Sequence, residues 1–156
     1  TWGAGLPPAE KNRERWDMMR PLLADPDLVP KTEQILDTAG YFRRMLRVRF
    51  SSPLFRLRSA QDILQRVRFP ETAAPGLIAM HLIDAGTGIE DLDPDHRQIL
   101  VLFNPHEDEQ VFGDGRWTRF DMELHPEMDA DVGMFADTTG IFTVRPRSIA
   151  VFVERQ

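Results

Sequence analysis

Apolar positions along this chain change period near residue 50. Between Thr32 and Phe50, Ile35, Ala39, Phe42, Leu46 and Phe50 recur at steps of three and four, which makes one stripe of an amphipathic helix. Arg43, Arg44 and Arg47 lie toward its C-terminal end, where positive charge complements the helix dipole, and Ser51-Ser52-Pro53 ends it. An earlier helix is predicted from about Pro8 to Arg20, with a proline in its first turn, where a missing N–H costs nothing. Trp16 and Met19 share one side of that helix, and Pro21 interrupts it. The following LLADPDLVP reads as a turn-rich connector.

After Pro53 the runs shorten. Ser59 to Asp62 has the form of a capped single helical turn, and Leu64 to Phe69 reads as a strand. Leu77 to Ile83 and Ile99 to Phe103 are nearly continuous apolar runs, expected of central strands covered on both faces. Glu109 to Phe112 leads into Gly113-Asp114-Gly115, a hairpin turn that would return through Trp117 to Leu124. Ile141 to Val144 and Ser148 to Val153 flank Arg145-Pro146-Arg147 and would close the sheet. Short strands spaced by turns, with no long helix between them, indicate an antiparallel sandwich or a partly open barrel. The connectors 85–97 and 127–140 are acidic and read as mobile.

Composition narrows the function classes. A length of 156 residues suffices for one well-packed core, or for one domain with a helical extension. A formal net charge of −6 argues against a nucleic-acid binder, which needs excess positive charge to displace phosphate counterions. The absence of cysteine removes thiol nucleophiles, thiolate metal sites and disulfides together. No apolar run reaches the roughly 20 residues that span a bilayer, so no membrane partner is expected. No charged-then-apolar leader precedes Pro7. For a fragment, that says nothing about export of its parent.

Motifs that carry catalysis fail residue by residue. Asp91-x-Asp93-x-Asp95 begins like a calcium loop, but His96 stands where the sharp-turn glycine belongs and Leu102 where the bidentate glutamate belongs. The segment reads as a solvated turn. His106-Glu107 lacks the second histidine of HExxH, because position 110 is Gln110. His81, His96 and His125 show no ligand spacing, and His81 reads as a hydrogen-bonded histidine on a sheet face. The Gly-x-Gly pairs at Gly3, Gly86 and Gly113 lack the third glycine of a dinucleotide loop. Hydrolysis of a glycosidic bond needs two facing carboxyls, one with a raised pKa; the acidic residues here cluster in turns, so no catalytic pair is assigned. The arginines between Arg43 and Arg68 read as a helix-to-sheet seam held by exposed ion pairs.

Read as strings, GLPPAEKNRERWDMMRPLLADPDL, FRRMLRVRFSSPLFRLRSAQDILQRVRF, PGLIAM, DPDHRQILVLFNPHEDEQVF, ELHP and FTVRPRSIAVFVE follow one another in order. In this the chain resembles the C-terminal portion of bacterial pullulanases and plant limit dextrinases, debranching enzymes of the α-amylase superfamily. The SSPLFRLR segment with its downstream QRVRF is the most specific part, and the loops at 85–97 and 127–140 match least. The resemblance implies a modular parent that hydrolyses α-1,6 branch linkages in α-glucans. It implies a mainly β fold with N-terminal helices: residues 1–52 would be the helical end of a catalytic (β/α)8 barrel, and residues 53–156 an antiparallel β-sandwich. The catalytic carboxylates of that family lie upstream of Thr1, so none is carried onto this chain. Trp2 is the one residue offered as a substrate contact, through ring stacking on a sugar. No cofactor is expected; calcium in the parent has no site assignable on these residues. The implied partners are the rest of the chain's own barrel and, through the parent, α-glucan. The alternative from another class is a self-standing carbohydrate-binding sandwich, which predicts exposed aromatics involving Trp117 and Phe120.

Overall fold

The computed structural model describes residues 5–84, 86, 88 and 90–156, so Trp2 lies outside the described residues. The chain falls into two compact units, Thr1–Arg43 and Arg44–Gln156. In the first, α1 (Ala9–Asn12) passes through a 3-10 turn at Arg13–Arg15 into α2 (Trp16–Ala24). The Trp16 indole N–H donates to the Pro7 carbonyl at 2.9 Å, which ties the entering loop to the start of α2. Pro21 does not end the helix as expected but sits inside α2. A proline forgoes one backbone bond and crowds one carbonyl, and at this exposed position the helix continues to Ala24. It stops at Asp25, whose backbone turns extended and whose carboxylate accepts the Asp27 amide at 2.9 Å.

Helix α3 (Thr32–Ser51) has the predicted extent. Its first part belongs to the first unit, and its last two turns, from Arg44, to the second. The predicted apolar stripe is not its buried face. Ile35, Phe42 and Phe50 are 55%, 63% and 62% exposed, whereas Val48, off the stripe, is 4% exposed and joins the core of the second unit.

The second unit continues through a 3-10 turn at Pro53–Arg56 and α4 (Ala60–Arg66) into β1 (Val67–Arg68). The single turn expected at Ser59–Asp62 is therefore a longer helix: the Ser59 hydroxyl accepts the Asp62 amide at 3.0 Å and starts it, and it takes up Leu64 to Arg66, the first half of the strand expected at Leu64–Phe69. The strands that follow are β2 (Ile78–Ile83), β3 (His96–Asn104), β4 (Gln110–Gly113), β5 (Glu123–Leu124), β6 (Gly133–Ala136), β7 (Ile141–Val144) and β8 (Ser148–Arg155). They form one antiparallel sheet ordered β1-β2-β3-β8-β5 and a second ordered β4-β7-β6.

The two sheets pack face to face as an antiparallel sandwich. In the larger sheet, His81, Leu100, Phe152 and Leu124 share one cross-strand row; the Phe152 ring meets Phe142 of β7 at 4.9 Å. The neighbouring row, with Leu82, Ile99 and Val153, points to the opposite side of the pleat. Leu54, Phe55, Leu57, Met80 and Leu82 line one apolar groove on that side. Helix layer, large sheet and small sheet thus stack in that order, and both faces of β3 and β8 are covered. That explains why β3 is almost continuously buried. Strand β2 lies inside the sheet between β1 and β3, as expected, but next to the two-residue β1 it has less cover than β3, and Ile78 is exposed.

The hairpin predicted at Gly113-Asp114-Gly115 does not form. Gly113 does take a positive φ of 104°, but the Asp114 carboxylate caps the Arg116 amide at 2.8 Å and starts a 3-10 helix at Gly115–Arg119. Strand β4 pairs with β7, and the two-residue β5 pairs with β8. The turn at Arg145-Pro146-Arg147 carries the chain from the small sheet into the large one, so β7 and β8 do not share a sheet as expected. Of the first acidic connector, residues 85, 87 and 89 lie outside the described residues, and Asp93 is buried; in the second, Met128 and Val132 are buried and strand β6 forms.

Gly133 of β6 sits tightly between the neighbouring strand β7 and β8 of the facing sheet. A Cβ there would lie 2.6 Å from the Thr143 carbonyl oxygen and 3.0 Å from the Ala150 Cβ. Because the first of these is backbone, Gly133→Ala is expected to lose about 1–3 kcal/mol to overpacking, read as a lower urea midpoint at unchanged m-value.

Candidate functional site

A group of buried titratable side chains gathers where α3 ends. Ser51 and Ser52 are consecutive, and each serves a different loop. The Ser52 hydroxyl donates to the Asp93 carboxylate, which also accepts the Asp95 and His96 amides at 2.9 and 3.1 Å and the His96 imidazole Nδ1 at 3.1 Å. Ser51 Oγ lies 2.9 Å from His125 Nε2 and donates to the Val48 carbonyl at 2.8 Å. The His96 and His125 rings stack, their centroids 6.5 Å apart. Ser52, Asp93, His96 and His125 are all buried.

Serine, histidine and aspartate together invite comparison with a nucleophilic triad, and the proton positions argue against one. A nucleophilic serine must present its O–H to a base. Here the Ser52 proton goes to a carboxylate and the Ser51 proton to a backbone carbonyl. Since a hydroxyl has one proton, His125 Nε2 must be the donor toward Ser51. His125 Nδ1 in turn accepts the Glu127 amide at 3.1 Å. Both ring nitrogens are committed, and the imidazole is held neutral with its proton on Nε2. Burial pushes the His125 pKa down, and the neighbouring His96 pushes it further the same way. Burial by itself would raise the Asp93 carboxyl, but the hydrogen bonds from Ser52, the Asp95 amide and His96 outweigh it and hold the carboxyl below its ordinary value. That is the reverse of what a general acid for glycoside hydrolysis requires.

The Asp91-to-Asp95 segment is therefore not a solvated turn. Asp93 is its hub, and the Asp93 oxygens are taken up by protein donors, which leaves no open ligand set for a cation. Among the described residues, no group of three or more His, Asp or Glu side chains is placed to hold a metal ion, and no helix is long and apolar enough to cross a membrane.

The arginine band divides into two kinds. Arg44 pairs with Asp129, and Arg47 Nε donates to Glu127 at 2.6 Å, so this part is an ion-paired seam between helix and sheet as expected. Arg66 is different: it is 1% exposed and pairs with Asp84, which is fully buried. Arg66 also donates to the Glu90 carbonyl, and Asp84 accepts the Leu92 and Asp93 amides at 2.9 and 2.7 Å. This pair organises the first acidic connector from inside.

A cleft of about 490 Å³ opens on the side of the sandwich, lined by Glu71, His81, Asp114, Arg116, Trp117 and Phe120 among others. The Gln98 amide donates to Glu154 at 2.8 Å, so its oxygen faces His81 Nε2 at 2.6 Å, and His81 carries its proton there. Burial lowers the His81 pKa; the Gln98 bond opposes this and Arg68 adds to it. Trp117 is only 8% exposed. Its ring packs edge-on against Phe142 at 5.1 Å, Phe112 at 5.7 Å and Phe120 at 5.7 Å, which makes it a core residue rather than a platform. Phe120 is half-buried, with the Arg119 guanidinium 4.7 Å from its ring centre.

With this geometry in place, comparison with known proteins assigns the chain. The family described as "Alpha-1,6-glucosidases, pullulanase-type, C-terminal" matches residues 1–155. The chain belongs to this family. It is 39% identical to pullulanase 1 of Arabidopsis thaliana chloroplasts over 165 residues, 98% of this chain and 17% of that protein. The pullulanase-type fold is shared with PulA from Klebsiella pneumoniae in its maltotriose complex, at a TM-score of 0.77 and 22% identity over 97% of this chain and 17% of that one. PulA from Klebsiella oxytoca gives a TM-score of 0.78 at 20% identity, covering 97% and 15%. The chain thus spans about a sixth of the length of these pullulanases.

Within this pullulanase-type C-terminal region, the sequence did not single out Asp84, and it placed Asp93 in a solvated turn rather than at a buried hub. Their signal was present: an Asx-type turn at Asp93 two residues before Asp95, and an aspartate directly after an apolar strand. Removing one partner of a buried pair leaves the other charge uncompensated. Asp84→Ala is expected to cost about 3–5 kcal/mol, whereas the double variant Arg66→Met/Asp84→Leu should lose far less. Urea unfolding of both variants checks this.

Proposed function

We propose that this chain is the C-terminal, non-catalytic part of an enzyme that hydrolyses α-1,6-glucosidic branch linkages in α-glucans. In this reading residues 1–52 complete the helical end of the catalytic barrel, and residues 53–156 form the β domain that stabilises it. One observation carries the proposal: a 20-residue helix exposes Ile35, Phe42 and Phe50 along one stripe in a chain that spans 17% of its pullulanase relative. Burying such a side chain contributes about 1.5–3 kcal/mol, so a stripe of them calls for a cover. The rest of the same polypeptide is the natural one.

Trp2 fits this reading as a sugar-stacking residue at the edge of the parent's active site, and α-glucan is reached through the parent. No calcium site is assigned on the residues of this chain. The maltotriose complex of Klebsiella pneumoniae PulA supports a glucan substrate class.

The purified 156-residue chain incubated with pullulan is expected to release no reducing ends; release would overturn the non-catalytic assignment. In a pullulan-containing native gel its mobility is expected to stay unchanged. Retardation would favour the self-standing carbohydrate-binding sandwich.

A further inference from the structure

The His125 turn is held in a form that depends on a single absent proton. Nδ1 accepts the Glu127 amide at 3.1 Å, Nε2 donates to Ser51, and the Met128 amide closes the turn on the His125 carbonyl at 2.8 Å. The same turn presents Glu127 to Arg47 and Asp129 to Arg44, the ion pairs that hold the last two turns of α3. We propose that His125 is an acid-sensitive latch: neutral, it ties the Glu127–Asp129 turn to the end of α3, and a proton on Nδ1 opens that tie.

The argument is geometric. A proton on Nδ1 would face the Glu127 N–H, so two donors would meet where a donor and an acceptor met before, and one must move away. The ring is 2% exposed, so water cannot replace the lost acceptor without the turn opening.

The charges around the ring do not rescue the imidazolium. From the loop before β3 and its first residue come Asp93, Asp95 and His96; His96 stacks on His125, and its Nδ1 is bound to Asp93. From α3 come Arg44, Arg47 and Ser51. From β5 comes Glu123 and from β8 Arg155, which pair with each other. On the turn itself, Glu127 and Asp129 are committed to Arg47 and Arg44. Each nearby carboxylate of β5 and the turn already has a cationic partner, and burial together with His96 prevails, so the His125 pKa lies below its ordinary value.

The sign follows from proton linkage. A histidine with a depressed folded pKa binds fewer protons folded than unfolded. Its contribution is whole above the ordinary 6.5 and lost as pH falls from there through the folded value. The release acts through the turn that carries the carboxylate partners of Arg44 and Arg47.

Ring nitrogen NMR on the 156-residue chain tests the tautomer directly. At about pH 7.5, His125 is expected as the neutral Nε2–H form; an Nδ1–H ring would overturn the proposal. Amide hydrogen exchange tests the release. Between about pH 7.5 and about pH 5, corrected for the intrinsic pH dependence, the Glu127 and Met128 amides should lose about tenfold in protection while the β3 and β8 amides hold theirs. His125→Asn places a non-titrating oxygen near the Nδ1 position, and it should abolish that pH dependence. Equal loss in sheet and turn, no loss in the turn, or an acid loss that persists in His125→Asn would each overturn the latch. Should His125→Asn fail to fold, the tautomer and the wild-type exchange profile decide the question by themselves.

Discussion

The antiparallel pair β3–β8 sets the terms for the rest of the molecule. Its side chains are apolar on both sides of the pleat, so the sheet can satisfy one row only by leaving the other in need of cover. The small sheet serves one face through Phe112, Phe142 and Val144. The other face requires a helical layer, which Val48, Leu54 and their neighbours supply. Placing that layer brings the polar end of α3 onto the edge of the sheet, where its hydroxyls and arginines need partners. Asp93, His125, Glu127 and Asp129 are those partners, and they come from connectors too polar to join the core by themselves.

Three buried titratable side chains in this layer enter already paired, whereas the buried Gln65 Oε1 beside them has no hydrogen-bond partner among the described residues. Asp84 goes in with Arg66 and two backbone amides, Asp93 with Ser52 and His96, and His125 with Ser51 and the Glu127 amide. Such groups add less to stability than to specificity, because removing one partner costs more than the pair contributes. They also explain why the site with the look of catalytic chemistry is an anchor. Every proton that a nucleophile or general acid would need is already bound elsewhere.

Much of this was legible in the chain. The period change near residue 50, the extent of α3 and the runs of β3, β7 and β8 follow from local spacing, and the ordered match of sequence segments named the family's neighbourhood. What escaped was decided at a distance. Arg66 and Arg68 alternate with apolar residues just as a solvent-facing strand would, and only the location of Asp84 tells that the first is buried. Asp91-x-Asp93-x-Asp95 looks solvated because nothing nearby in sequence announces Ser52. The glycines at 113 and 115 suit a hairpin, but the Asp114 cap and the burial of Trp117 favour a 3-10 helix instead. The α3 stripe was correctly placed on one face, yet that face is uncovered here, since amphipathicity gives a direction and not a partner.

Ser51 and Ser52 sit side by side, while the loops they hold, around Asp93 and His125, are far apart in sequence. Ser51 is the last residue of α3, and Ser52, in extended backbone, caps the 3-10 turn that follows, so this double grip fixes where the helix ends. A single residue gained or lost between Arg47 and Ser51 would, with both hydroxyls kept on their loops, turn Arg44 and Arg47 about 100° from their carboxylates. The length of the last two turns of this helix is therefore held by the β domain as firmly as their composition is, and the surface loops are where insertions can be absorbed.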